Sequence, residues 1–233
     1  MYKNSRRYRT VLSLILMLQL LLVAGCNIVA AAVVVVAPTL PISAKYKISD
    51  KKTLVLVEDP GRIVINPNTT RIITSAIIEN MTEEGDFEGG FVDPAEINVL
   101  RDELGSDAFD KLPLGTLAKR LGAGQVVYVL LENFSVNATA SVFQPAMSAN
   151  VKVLDIDQGI RVFPLLRDEE TGIETGIEYH KVTTSLTAKN YRAQGQAAHM
   201  VVSRDLALQG GTDIGRLFHS WKRDEPGSAL AEP

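Results

Sequence analysis

The single cysteine of this 233-residue chain, Cys26, follows Ala24 and Gly25 in the run LVAGC. Its thiol is the chain's best soft nucleophile, and two small residues before it leave the backbone open to a peptidase. One cysteine excludes an intrachain disulfide and a cysteine-based zinc site. The other candidates are acid–base groups. Glu58 and Asp59, in EDPG, would put two carboxylates at the end of a strand, where α/β proteins often bind ligands; a solvated acidic turn is the simpler account of them. His180 falls in a strand-like stretch, and His199 and His219 fall on separate helical segments. None forms the i, i+4 pair that metal sites on helices use, so surface or satisfied histidines are the simpler reading. The acid clusters EEGDFE (83–88) and RDEETGIE (167–174) lack calcium-loop spacing, and GAG at 122–124 lacks both the third glycine and the preceding strand of a dinucleotide fingerprint. We therefore expect no catalytic site, no cofactor and no metal. Were the chain an enzyme or a small-ligand protein, Glu58, Asp59 and His180 would be the groups to carry it.

These residues sit on a recognisable series of elements. TLVLVED reads as a buried strand closed by a turn at PG. In NPNTTRIITSAIIENM (66–81), Ile72, Ile73, Ala76, Ile77 and Met81 recur at helical spacing, with Asn66 as N-cap and Pro67 in the first turn. GGFVDPAEINVLRDEL (89–104) predicts a short strand, then a helix capped by Asp93 and opened by Pro94. LPLGTLAKRLGAG (112–124) predicts a third helix, closed by Gly122 or Gly124. QVVYVLLENFSVNAT (125–139) starts as a continuous apolar run and then alternates. QPAMSANVKVLDID (144–157) alternates throughout and should pair with it as a hairpin. Two further strands are expected at 159–166 and 176–188. The C-terminal segment reads as one helix broken at Gly210–Gly211, or as two, the last carrying Ile214, Leu217, Phe218 and Trp221 on one face. These aromatics, with Phe87, Phe91 and Phe143, read as core rather than docking patch. The order predicts an α/β (α+β) fold, a single mixed sheet with helices packed on it and a long C-terminal helix.

Charge and targeting narrow the function class. Four of the 24 basic residues (Lys3, Arg6, Arg7, Arg9) and none of the 27 acidic ones lie in the first 25 positions, so residues 26–233 carry a net charge of −7. A net-acidic body argues against a nucleic-acid binder. The basic start, the apolar VLSLILMLQLLLV (11–23) and the small residues before Cys26 have the order of a secretory signal. The segment resembles the lipobox of bacterial lipoproteins. That resemblance implies cleavage after residue 25, a diacylglycerol on the Cys26 thiol and an acyl chain on the new amino group. The competing reading is an uncleaved anchor, since no charge occurs from Val11 to Leu40 and about 20 apolar residues span a bilayer. Either way the body faces away from the cytoplasm. Asn27, in place of an aspartate that retains lipoproteins at the inner membrane, leans toward the outer membrane. Sequons at Asn68, Asn80, Asn133 and Asn137 matter only in a eukaryotic secretory route, which the lipobox disfavours.

Together the lipobox, TLVLVED, LPLGTLAKRLGAGQVVYV and VKVLDI resemble envelope proteins of the anticodon-binding-like α/β fold. These include the curli-secretion-channel lipoproteins, the lipoprotein activators of penicillin-binding proteins and the amino-terminal domain of the Tol system's propeller protein. The resemblance spans about residues 50–222 and rests on packing motifs. It implies a signal peptide at 1–25, a lipidated tether or apolar linker at 26–44, one α/β domain at 45–223 and a disordered tail at 224–233. The expected role is a non-catalytic envelope scaffold, bound to the membrane through its lipid and to another envelope protein or to itself. An oligomeric export component is the alternative implied by the channel family, and it would need a membrane-inserting hairpin.

Overall fold

A computed structural model describes residues 41–66, 68–85, 87–109, 111–136, 144–165, 176–187 and 196–222. Cys26, Phe143, Asn137, the cluster at 167–174 and the tail at 224–233 lie outside them. Ile42–Trp221 make one compact unit. Five strands of the described residues form one mixed sheet: β1 (Thr53–Glu58), β2 (Gln125–Ser135), β3 (Ala146–Asp155), β4 (Ile160–Phe163) and β5 (His180–Ser185). β1 and β2 are parallel, β2 and β3 are the expected antiparallel hairpin, and β4 and β5 both pair antiparallel with β3 along the same side.

A parallel pair needs a crossover, and four helices make it. α1 (Asn68–Glu83) starts where Asn66 accepts the Asn68 N–H on its side chain at 2.9 Å and the Thr69 N–H on its carbonyl at 2.9 Å. α2 (Pro94–Leu104) starts at Asp93, whose carboxylate accepts the Ala95 N–H at 2.8 Å. A one-turn helix, α3 (Ser106–Phe109), was not expected from sequence. α4 (Leu114–Arg120) ends at Gly122, with φ +68°, where the Gly122 and Ala123 N–H groups close back on Lys119 and Ala118. Gly122, not Gly124, is thus the helix stop, because the left-handed backbone favours a residue without Cβ. The short strand expected near 89–92 reduces to a single parallel bridge between Phe91 and Thr53.

The C-terminal helix α5 (Gln196–Gly215) corrects the expected break, because it runs unbroken through Gly210 and Gly211. The glycines serve close approach instead of termination. A Cβ on Gly211 would lie 2.6 Å from Ala76 Cβ and 2.7 Å from the Ile73 carbonyl of α1, and one on Gly210 would run into Met147 of β3. Leu217, Phe218 and Trp221 follow the helix end and do not form its last stripe. Leu217 and Phe218 are buried, and Trp221 pairs with Ile42 across an antiparallel bridge.

The sheet is covered unequally. One face carries Val55, Val127, Val129, Leu131, Met147, Ala149, Val151 and Val153 under α1 and α5. The other carries Leu54, Leu56 and Val126 under α2–α4 at one end only. Among the described residues no helix is long and apolar enough to cross a membrane.

Candidate functional site

The candidate acid–base groups are not brought together. The Glu58 carboxylate accepts the Tyr128 hydroxyl at 2.6 Å on the partly open sheet face. Burial, and then Glu58, push the Tyr128 pKa up, so the phenol stays a donor. Asp59 turns back into its own loop and accepts the N–H groups of Ile63 at 2.9 Å and Val64 at 3.0 Å, which is turn chemistry. His180 is registered against Val151, Val151 against Val129, and Val129 against Val57. It is therefore three strands from β1, roughly 14 Å at the usual strand spacing, and on the opposite face from Glu58. Its ring packs on Phe163, with centroids 5.3 Å apart, and burial, then the charge of Lys45, pushes its pKa down.

The other histidines also stand apart. His199 is exposed on α5. His219 is buried, with Nε2 2.8 Å from Asn80 Oδ1 and Nδ1 3.2 Å from the Ser220 carbonyl, tying the segment after α5 to α1. Among the described residues no group of three His, Cys, Asp or Glu side chains could hold a metal ion. Phe87 and Phe91 pack on each other, with centroids 4.9 Å apart, at the edge of the core.

Three arrangements were not visible in the sequence. The first is a cavity of about 320 Å³ with an apolar floor of Ile48, Met81, Phe87 and Phe218 and a rim carrying Lys47 and Glu84. His219 and Ser220 also line it, so its walls mix polar and apolar groups, and neither Glu58, Asp59 nor His180 lines it. The second is the polar ladder on the open sheet face. A bulge at Leu131/Asn133 inserts Glu132, whose two oxygens take Lys181 at 2.8 Å and Asn150 at 2.6 Å. Lys181 holds the Glu132 carboxyl below its ordinary range. Beside it the Lys152 ammonium lies 4.8 Å from the Tyr128 ring centre and 4.5 Å from that of Tyr179, and donates to the Tyr179 oxygen at 3.0 Å. The third is the buried Gln125. It accepts from Ser49 at 2.9 Å and donates to the Ser49 carbonyl at 2.6 Å and Thr53 Oγ1 at 2.8 Å, clamping the entry to β1. Bonds of this kind hold a sheet and present polar groups on it; they assemble no nucleophile, base and oxyanion donor around one point.

No family model matches the chain, and no curated protein matches it. Solved structures of similar outline include the lipoprotein GNA1162 from Neisseria meningitidis, at 16% identity and TM-score 0.40 over 67% of this chain and 95% of that one. The PelC dodecamer from Paraburkholderia phytofirmans aligns at 12% identity and TM-score 0.36 over 76% and 91%. The LpoB C-terminal domain from Salmonella enterica aligns at 16% identity and TM-score 0.35 over 61% and 87%. Bacterial lipoproteins are thus among the structures similar to this chain. At these scores the similarity bears neither on activity nor on partners.

Proposed function

We propose that this chain is a non-catalytic lipoprotein of the bacterial cell envelope. Residues 1–25 are its signal peptide, Cys26 carries the lipid, residues 27–44 are the tether, and the domain at 45–223 faces the periplasm and recruits or scaffolds a partner. The observation that carries the reading is LVAGC, placed directly after a basic stretch and an apolar segment of signal-peptide length. The separation of Glu58, Asp59 and His180 supports the non-catalytic part. Burial of alternate side chains of β2 and β3 under α1 and α5 supports a core sheet over a membrane-inserting export hairpin.

The test is the intact mass of membrane-extracted product from the full chain and from Cys26→Ala. A mass equal to residues 26–233 plus acyl chains, lost in the variant, is the expected result. An unmodified full-length mass in both chains would overturn the reading and make the apolar run beginning at Val11 a spanning anchor.

A further inference from the structure

Among the described residues β5 is an edge strand, paired with β3 on one side only. The Leu186 N–H donates to the Pro145 carbonyl of the strand next door at 3.2 Å, and the β3–β5 register continues that pairing to Met147↔Thr184, Ala149↔Val182 and Val151↔His180. In an antiparallel ladder alternate residues point their N–H and C=O to opposite sides. Lys181, Thr183 and Ser185 therefore direct theirs away from β3, and all three residues are exposed, whereas Val182 and Thr184 are buried. No strand of the described residues pairs on that side. The strand is a β-branched VTT run without proline or bulge, so it lacks two of the usual devices that blunt an edge. Its one lysine is drawn back over the sheet to Glu132, at 2.8 Å. Ile160, at 49% exposure, lies on β4, which lines the same side of β3.

We propose that this edge pairs with β5 of a second copy of the chain, antiparallel about a two-fold axis at Thr183. Among two-fold registers, the one that sets Thr183 against Thr183 of the second copy, and Lys181 against its Ser185, uses every outward N–H and C=O of the three residues in both copies. On the open face it opposes threonine to threonine and lysine to serine, and on the buried face it opposes Val182 to Thr184. No like charges face each other, so the strand is complementary to itself, as an isologous interface requires. Moving the axis so that Lys181 faces Lys181 loses hydrogen bonds and opposes two cations. The result is one continuous sheet across the two copies. The proposal deepens the partner-recruiting reading above by naming the partner, and it does not depend on the lipid at Cys26.

The experiment uses the full chain in the Cys26→Ala background, which has no other thiol, oxidised in membranes. Cα atoms of a hydrogen-bonded antiparallel pair lie about 5.5 Å apart, within the range of about 4.4 to 6.8 Å that a disulfide spans. Thr183→Cys should give covalent dimer. Lys181→Cys and Ser185→Cys should each give no covalent dimer alone and cross-link when co-expressed. In parallel, sedimentation of the detergent-extracted Thr183→Pro chain should show at least tenfold weaker dimerisation, with thermal stability unchanged at dilutions where both chains are monomeric, because the N–H it removes points away from β3. A monomeric Cys26→Ala chain at all concentrations, no dimer from a folded Thr183→Cys chain, or equal cross-linking at all three positions would overturn the proposal. A chain that dimerises this way but carries no lipid would leave it standing and remove only the anchor.

Discussion

Two consecutive leucines of β2 stand in opposite environments. Leu131 points under α1 and α5 and is 4% exposed, within the aliphatic cluster that includes Val129, Met147 and Ile77. Leu130 points to the other face, beside Glu58 and Asn150, and is half-buried beyond the reach of α2–α4. The covered face holds the fold by area removed from water. The partly open face is held by a ladder of charged and aromatic side chains in contact with solvent. The difference makes the first face structural and leaves the second, with its β5 margin, to meet other molecules. The same substitution at the two positions gives the sharpest test. Leu131→Ala should cost about 2–5 kcal/mol in denaturant unfolding, as buried leucine truncations do, and Leu130→Ala about 1 kcal/mol or less. Equal losses would erase the distinction between the faces.

The covered face also depends on how closely α5 approaches it. Gly211→Ala adds a methyl where the Ala76 side chain and the Ile73 carbonyl stand at 2.6 and 2.7 Å. Alanine improves helix propensity by roughly 1 kcal/mol, but a backbone carbonyl cannot yield as a flexible side chain can. A net loss of about 1–3 kcal/mol is expected, read as a lower denaturant midpoint. A stabilised Gly211→Ala chain would mean that α5 stands further from α1 than the structure places it.

The sequence expectations succeeded and failed along the same division. The alternation within β2 and β3, the cap at Asn66, the cap at Asp93 and the stop at Gly122 depend on residues within a few positions of each other, and local pattern reveals them. Gly210–Gly211 carries the same local signal as a helix stop. Only the position of α1, more than a hundred residues earlier, turns it into a packing surface. Gln125 reads as the polar end of a strand until Ser49 and Thr53 are brought against it. Glu132 reads as a solvent-facing alternation until the bulge aims it at Lys181. Of the adjacent carboxylates Glu58 and Asp59, one faces Tyr128 and the other closes its own loop, which is the acidic-turn reading of EDPG rather than the paired-carboxylate one. Adjacency in the chain and adjacency in space diverge most where the chain turns.

Acid separates ionic from apolar support. Asp155 accepts the Lys51 ammonium at 2.8 Å and the Gln158 N–H at 3.0 Å. Lys51 first, and then that backbone donor, holds the carboxyl below its ordinary range. The folded chain then binds fewer protons in acid than the unfolded chain. The stabilisation is complete above the unfolded value of 3.8 and is lost as pH falls through the lower folded value. His180, whose pKa burial and then Lys45 push down, adds a further loss of stability as pH falls below 6.5. Asp155→Asn should lower the unfolding midpoint at pH 7 and flatten its decline as pH falls below the unfolded value of 3.8. Parallel curves for the two chains would mean that Lys51 and Asp155 are not coupled.

The smallest effect is expected at the centre of the open face. Lys152 lies between the rings of Tyr128 and Tyr179, with its stem along the sheet. A cation over an aromatic face that solvent still reaches is worth about 0.5–1 kcal/mol, and Lys152 and its hydrogen bond to Tyr179 are only half-buried. Lys152→Met keeps the stem and its packing and removes the charge, so thermal unfolding should register at most about 1 kcal/mol. Lys152→Arg, which can still stack on both rings, should restore most of that. A loss as large as that of Leu131→Ala would mean that this ladder, and not the aliphatic layer beneath it, is what the sheet is built on.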